Sequence, residues 1–100
     1  MTEVEMLRAL ASERRLLILQ WLKTPLLYFP PQTEGDLVSD GVCGILIAEK
    51  LGISQSTLSE HMRLLVSIGL VEAKRVKQWV FYRRNADRAA EICATIASKI

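Results

Sequence analysis

The opening stretch of the chain is patterned for helix. Leu7, Leu10, Leu17 and Trp21 recur at helical spacing, and Leu16, Ile18, Leu19 and Leu22 widen that stripe beyond Ser12. Ser12 followed by Glu13 has the character of an N-cap. It divides residues 2–23 into a first helix and a more buried second one, ended by Pro25. Residues 24–42 lose the period: Pro25, Pro30, Pro31, Gly35 and Gly41 punctuate them, and their only charges are Glu34, Asp36 and Asp40. So long a connection in so small a domain is usually functional or mobile. Tyr28 and Phe29 argue against plain disorder, because aromatic side chains need a surface to pack on.

Helical spacing returns at residues 44–51, with Ile45, Ala48 and Leu51 as the expected inner face. Gly52 supplies a tight turn and Ser54 an N-cap. The helix that follows carries Leu58, Met62, Leu65 and Ile68 inward, reaches about Ser67 and is closed by Gly69. Two short helices joined by Gly-Ile-Ser are the pattern of a helix-turn-helix. From Leu70 to Val76 and from Trp79 to Arg84 the composition turns β-branched and aromatic, broken by Lys77-Gln78, which predicts a hairpin. Residues 86–98 are helical again, with Ala89, Ile92, Cys93, Ile96 and Ile100 on one stripe. The expected fold is mainly α with a β-hairpin: a winged helix-turn-helix of about five helices plus a two-stranded wing. It forms one domain over residues 1–100, with a connecting insertion at 24–42, the helix-turn-helix at 44–67, the wing at 70–84 and a last helix at 86–100.

Composition narrows the class. Of 100 residues, 50% are hydrophobic and 24% charged, a globular balance, and a chain of this length can bury a core without disulfides or metal. The longest apolar run, residues 42–48, is far short of the roughly 20 residues of a membrane span. The acidic start MTEVEM has no apolar segment of the kind a signal peptide carries. Two cysteines make no disulfide framework, which points to a reducing cytoplasm. The length leaves room for this fold and one unusual loop, so any effector is expected to bind within the fold.

The net charge of +2 conceals an asymmetry. Residues 1–53 hold five Lys/Arg against seven Asp/Glu, whereas residues 54–88 hold seven against three, a net of +4. The basic block coincides with the second helix of the helix-turn-helix and with the hairpin. On that helix everything off the apolar stripe is short and polar (Gln55, Ser56, Thr57, Ser59, Glu60), followed by His61 and Arg63. Gln can bond adenine through two hydrogen bonds, and Ser and Thr can reach bases or phosphates. Glu60 is ill suited to phosphates and is expected to pair with Arg63. Lys74, Arg75, Lys77, Arg83 and Arg84 are placed for phosphate or minor-groove contact, or for guarding an exposed strand edge. Trp79, Phe81 and Tyr82 are expected to pack the hairpin.

Three blocks, ALASERRLLILQWL, IAEKLGISQSTLSEHMRLLVSIGLVEAKR and KQWVFYRRN, resemble in order the ArsR/SmtB family of bacterial transcriptional repressors. The resemblance covers about two-thirds of the chain. Its most specific part is the Ser-Gln-x-Thr-x-Ser-x-His-Met run, followed by Gly-Leu-Val and then Trp-Val-x-Tyr-Arg. It implies a homodimer built from the first and last helices, a recognition helix beginning at Ser54, a wing from Arg75 to Trp79, and release from the operator on ligand binding. The expected DNA-contacting set is Ser54, Gln55, Ser56, Thr57, Ser59, His61, Arg63, Arg75, Lys77 and Gln78, on a near-palindromic double-stranded operator. His61 resembles a histidine typical of the family and is read as hydrogen-bonded and partly buried, or beside a phosphate.

The sequence departs from the family in three places. Members often have Gly at the wing tip, where this chain has Val76-Lys77-Gln78. Metal-sensing members often carry Cys-x-Cys before the turn. Cys43-Gly44-Ile45 lacks the second thiolate, and the last helix offers Asp87 and Glu91 but no His, so no metal or other cofactor is expected. The third departure is the insertion, since family members join these helices by a much shorter loop. Tyr28, Phe29 and Pro30 are its candidate effector or interface residues, and they wall a pocket, extend the dimer or simply anchor a surface loop. Cys43, just before a helix N-terminus, is a candidate redox thiol, its alternative being a small buried hydrophobe; Cys93 is expected in the dimer interface. The main rival is a winged-helix dimerisation or adaptor module without DNA binding. One His, two Cys and no phosphate-cradling Gly loop make a poor enzyme.

Overall fold

The computed structural model describes residues 2–100. Two helices open the chain, α1 (Glu3–Leu10) and α2 (Glu13–Lys23), followed by a single turn, α3 (Pro25–Tyr28). After β1 (Val42–Cys43) come the helix-turn-helix pair α4 (Gly44–Leu51) and α5 (Gln55–Ser67). The hairpin β2 (Val71–Val76) and β3 (Trp79–Arg84) and the last helix α6 (Ala86–Ala97) complete the fold. The helix boundaries follow from capping. Ser12, Ser54 and Asn85 each accept a hydrogen bond from the backbone N–H three residues on, at 3.3, 3.1 and 3.0 Å, and such caps contribute about 1 kcal/mol each. Gly52, at φ +70, and Gly69, at φ +81, take the left-handed conformation that ends α4 and α5.

The core lies where these helices meet the inner face of the sheet. Ile18, Ile47, Met62, Leu65 and Ile92 are all but inaccessible to solvent. The helical pattern was sound, yet several inward faces differ from expectation. In α1 the buried residues are Met6 and Ala9, while Leu7 is 49% exposed; in α2 they are Ile18, Trp21 and Leu22, while Leu17 is 41% exposed. In α4 Ile47 and Ala48 are buried, and Ile45 and Leu51 only partly. On α6 Cys93 is exposed, and beyond that helix Ile100 is fully so. These segments are apolar on more than one side, so spacing alone cannot select the face. Packing selects it: α1 approaches α2 along the edge with the small Ala9, whose carbonyl accepts from Arg15 Nε at 2.6 Å.

The two-stranded wing is present as β2 and β3, and a third strand joins its sheet. Val42 and Cys43 pair antiparallel with Tyr82 and Phe81, giving the order β1-β3-β2. Gly41 makes this possible. Its φ is +105, and a Cβ there would lie 2.5 Å from the Tyr82 carbonyl oxygen. At the hairpin tip Val76 pairs directly with Trp79, so the turn is Lys77-Gln78 alone, and Lys77 takes φ +58 in place of the glycine usual in such turns.

The 24–42 connection is folded. Its single turn α3 raises the count to six helices among the described residues. Phe29 is buried edge-on to Trp21, with ring centroids 6.1 Å apart, and the Lys50 ammonium lies 5.2–5.9 Å from the Trp21, Tyr28 and Phe29 rings. The Gln32 side chain donates to the Gly41 carbonyl (2.7 Å) and accepts from the Cys43 N–H (3.1 Å), imitating a further strand along β1. Asp36 accepts from the Val38 and Ser39 N–H groups and the Ser39 hydroxyl, which holds its carboxyl below the ordinary carboxylate range. Leu37 plugs into the main core. Lys74 pairs with Asp40 at 2.7 Å, and Arg83 donates to the Ser39 carbonyl at 3.1 Å. The connection is thus a strap tied across the sheet, and Gly35 and its neighbours cover Phe81, which is 1% exposed.

Candidate nucleic-acid interface

The surface that could read nucleic acid is built from the first turns of α5 and the tip of the wing. Ser54 begins it. Its hydroxyl accepts from the Thr57 N–H, donates to the Thr57 hydroxyl at 2.9 Å and lies 3.1 Å from that of Ser56. Gln55, Ser56 and Ser59 are exposed beside it. Thr57 is half-buried, its hydroxyl committed to the cap. The unpaired N–H groups of the first helical turn add partial positive charge to this polar end. Arg63 is exposed further along and pairs with Glu60 at 3.2 Å, as expected; with both side chains solvated the pair contributes little.

His61 points elsewhere. It is half-buried against α2, where its Nδ1 lies 2.8 Å from the Arg15 guanidinium and accepts from it. Burial, then the charges of Arg15 and Arg14, hold its pKa below the ordinary 6.5, so the ring is a neutral acceptor. Arg15 was not singled out by the sequence reading. It also donates to the carbonyls of Ala9 and Arg8, joining α1 to α5 through one guanidinium. Nothing in the spacing of Arg15 marks it, because its three partners come from two other elements.

On the wing, Arg75, Lys77 and Gln78 are exposed, and neither cation makes an ion pair among the described residues. Of the other hairpin cations, Lys74 and Arg83 are engaged by Asp40 and Glu72, and Arg84, at the end of β3, is half-buried. Gln55 and Ser59 of α5 and Gln78 of the turn line one cleft of about 240 Å³ together with Trp79. The fold thereby brings together residues of α5 and of the wing turn that are distant in sequence. Phe81 and Tyr82 are buried and Trp79 half-buried, as expected of hairpin packing.

The remaining candidates fall as follows. Cys43 is a half-buried free thiol at the N-cap position of α4, where its side chain makes no capping bond. It lines the cleft beside α5, whereas Cys93 lines a separate one between α2 and α6. Phe29 belongs to the core, Tyr28 packs beside it and Pro30 is exposed. The cleft at the insertion is walled by the next residues along, 31–34. Among the described residues no three His, Cys, Asp or Glu side chains gather as a metal site, and no helix is long and apolar enough to cross a membrane.

A helix-turn-helix packed on a hairpin wing defines the winged-helix class. Residues 42–73, which span β1, the helix-turn-helix and the start of the wing, match the model of the bacterial regulatory protein, arsR family. Over its whole length the chain is 35% identical to the whole of the HTH-type transcriptional regulator YbzH of Bacillus subtilis (strain 168). The chain belongs to the arsR family of bacterial transcriptional regulators. Among solved structures it is similar to reduced HlyU from Vibrio cholerae (30% identity, 91% of this chain and 81% of that one, TM-score 0.61). It is also similar to a homodimeric winged helix-turn-helix DNA-binding domain from Mycobacterium bovis (28% identity, 96% and 76% covered, TM-score 0.63).

Proposed function

We propose that this regulator is a cytoplasmic, homodimeric repressor that reads a near-palindromic duplex operator and is released by an effector other than a classical metal. The observation that carries the DNA-reading part is the shared surface of Gln55, Ser59 and Gln78, flanked by the exposed Arg75 and Lys77, which make no ion pair among the described residues. In this reading the N-terminal turns of α5 enter the major groove. Gln55, Ser56 and Ser59 meet base edges or phosphates, Ser54 and Thr57 shape the approach, and Arg63, Arg75, Lys77 and Gln78 meet the backbone or minor groove. His61 supports the helix from behind through Arg15 instead of touching DNA. The exposed Val4 and Leu7 of α1, with Cys93 of α6 and the neighbouring Ile100, are apolar surface that a second copy would cover. The role is binding, and no catalytic residue is assigned.

Selection of duplexes from a random pool, followed by salt titration, tests this. With three or four phosphate contacts per protomer, log K against log salt should fall with a slope of about −5 to −7. Selected sites should show two half-sites about one DNA turn apart. A slope near zero, or no selected sequence, would overturn the reading in favour of an adaptor module.

A further inference from the structure

Resting on the repressor reading, the geometry points to an effector cleft beneath the strap that takes a small, flat aromatic molecule, neutral or singly cationic, and weakens DNA binding when filled. The cleft measures about 310 Å³ and lies between residues 31–34 of the strap, Cys43, Ile45 and Leu46 at the start of α4, and Trp79 and Phe81 of β3. That volume is at the small end of the range for ligand sites, roughly 300–1,000 Å³.

Its chemistry selects the ligand. The half-buried Trp79 ring and the aliphatic Pro31, Ile45 and Leu46 offer flat apolar contact, with the buried Phe81 behind them. Of the polar lining, the Gln32 amide is already committed to Gly41 and Cys43. Glu34 is the one charged residue lining the cleft, and it is exposed. No Lys or Arg lines it, although the same hairpin carries several. An anion would therefore meet a carboxylate and no cation, whereas an aromatic amine would find its counter-charge.

The position supplies the coupling. Cys43, Ile45 and Trp79 line both this cleft and the neighbouring one that holds Gln55, Ser59 and Gln78. A ring inserted beside Trp79 is separated from the DNA-reading surface by a single layer of side chains. Displacing Trp79 changes the spacing between wing and α5, and a ligand that favours the displaced spacing must weaken DNA binding by the same factor that DNA weakens the ligand.

The full chain can be titrated with indole, naphthylmethylamine and naphthoate, observed by amide NMR and by affinity for the selected duplex. Indole and naphthylmethylamine should shift the signals of Thr33, Cys43, Ile45 and Phe81, and naphthoate should do so far less. Saturating amine should lower DNA affinity, within the 5- to 150-fold range of ordinary couplings. Thr33→Trp, at an exposed position on the cleft wall, should block the shifts by filling the cleft with its own ring. Glu34→Lys should reverse the preference between amine and carboxylate. Shifts elsewhere, or shifts untouched by Thr33→Trp, would overturn the site. Binding in the cleft without any change in DNA affinity would overturn the coupling. A chain that binds no duplex strikes the repressor reading, and the NMR titration then decides the cleft on its own.

Discussion

The tip and the base of the wing carry similar side chains in opposite circumstances. At the base, Lys74 and Arg83 are held by Asp40, Glu72 and the Ser39 carbonyl, and Gln32 and Gly41 fasten the strap to β1. At the tip, Arg75 near the end of β2 and Lys77 in the two-residue turn, where it takes a strained left-handed φ, stand in solvent without an ion pair among the described residues. A cation already paired gains less from a phosphate than a free one, because it must give up a partner first. The base is therefore structural and the tip available, and the +4 of residues 54–88 overstates what DNA can use.

The largest expected effect tests the base. Gly41→Ala places a Cβ against the Tyr82 carbonyl at a φ that L residues avoid, which should cost about 3 kcal/mol of stability, read by urea denaturation. An unchanged midpoint would mean that the strap is not fastened there. Gln32→Ala removes two hydrogen bonds from the β1 edge and should cost about 1–2 kcal/mol.

The tip is tested by salt dependence. Arg75→Ala removes one phosphate contact from each protomer of a dimer, so the log–log slope should become shallower by about 2 with no change in sequence preference. Lys74→Ala should leave the slope alone and lower Tm slightly. Equal changes in the two variants would abolish the distinction between tip and base. Gln55→Ala should instead relax selection at a single base position.

Between the two lies the support of α5 by Arg15. Because the folded-state pKa of His61 is depressed, the unfolded chain takes up its proton more readily. This contribution to stability is fully present above the ordinary value of 6.5 and is lost as pH falls through the depressed folded value. His61→Gln should flatten that part of a Tm-against-pH profile. A profile unaltered by the substitution would remove His61 from the account.

The sequence revealed this much of the design because its signals were local. Caps at Ser12 and Ser54, left-handed glycines at 52 and 69 and the β-rich stretch around Trp79 each specify their own neighbourhood, and together they determine a winged helix. What escaped was non-local. β1 is two residues long and exists only because β3 offers it an edge. The hold of Gln32 on that edge, and of Arg15 on α1 and α5, depends on elements distant in sequence. Charge arithmetic likewise treats Lys74 and Arg75 as equivalent, though they point to opposite faces of β2 and only one meets Asp40.

The smallest effect separates backbone from charge at the tip. Lys77 occupies a left-handed conformation that costs an L residue about 1 kcal/mol or more, part of which Asn would recover because its short polar side chain tolerates that region. Lys77→Asn should therefore raise stability by about 0.5 kcal/mol while making the salt slope shallower by about 2. A gain in stability with an unchanged slope would show that Lys77 is a turn residue which happens to be basic, leaving Arg75 as the cation of the wing tip. A loss of both would mean that the charge is retained at the expense of the turn.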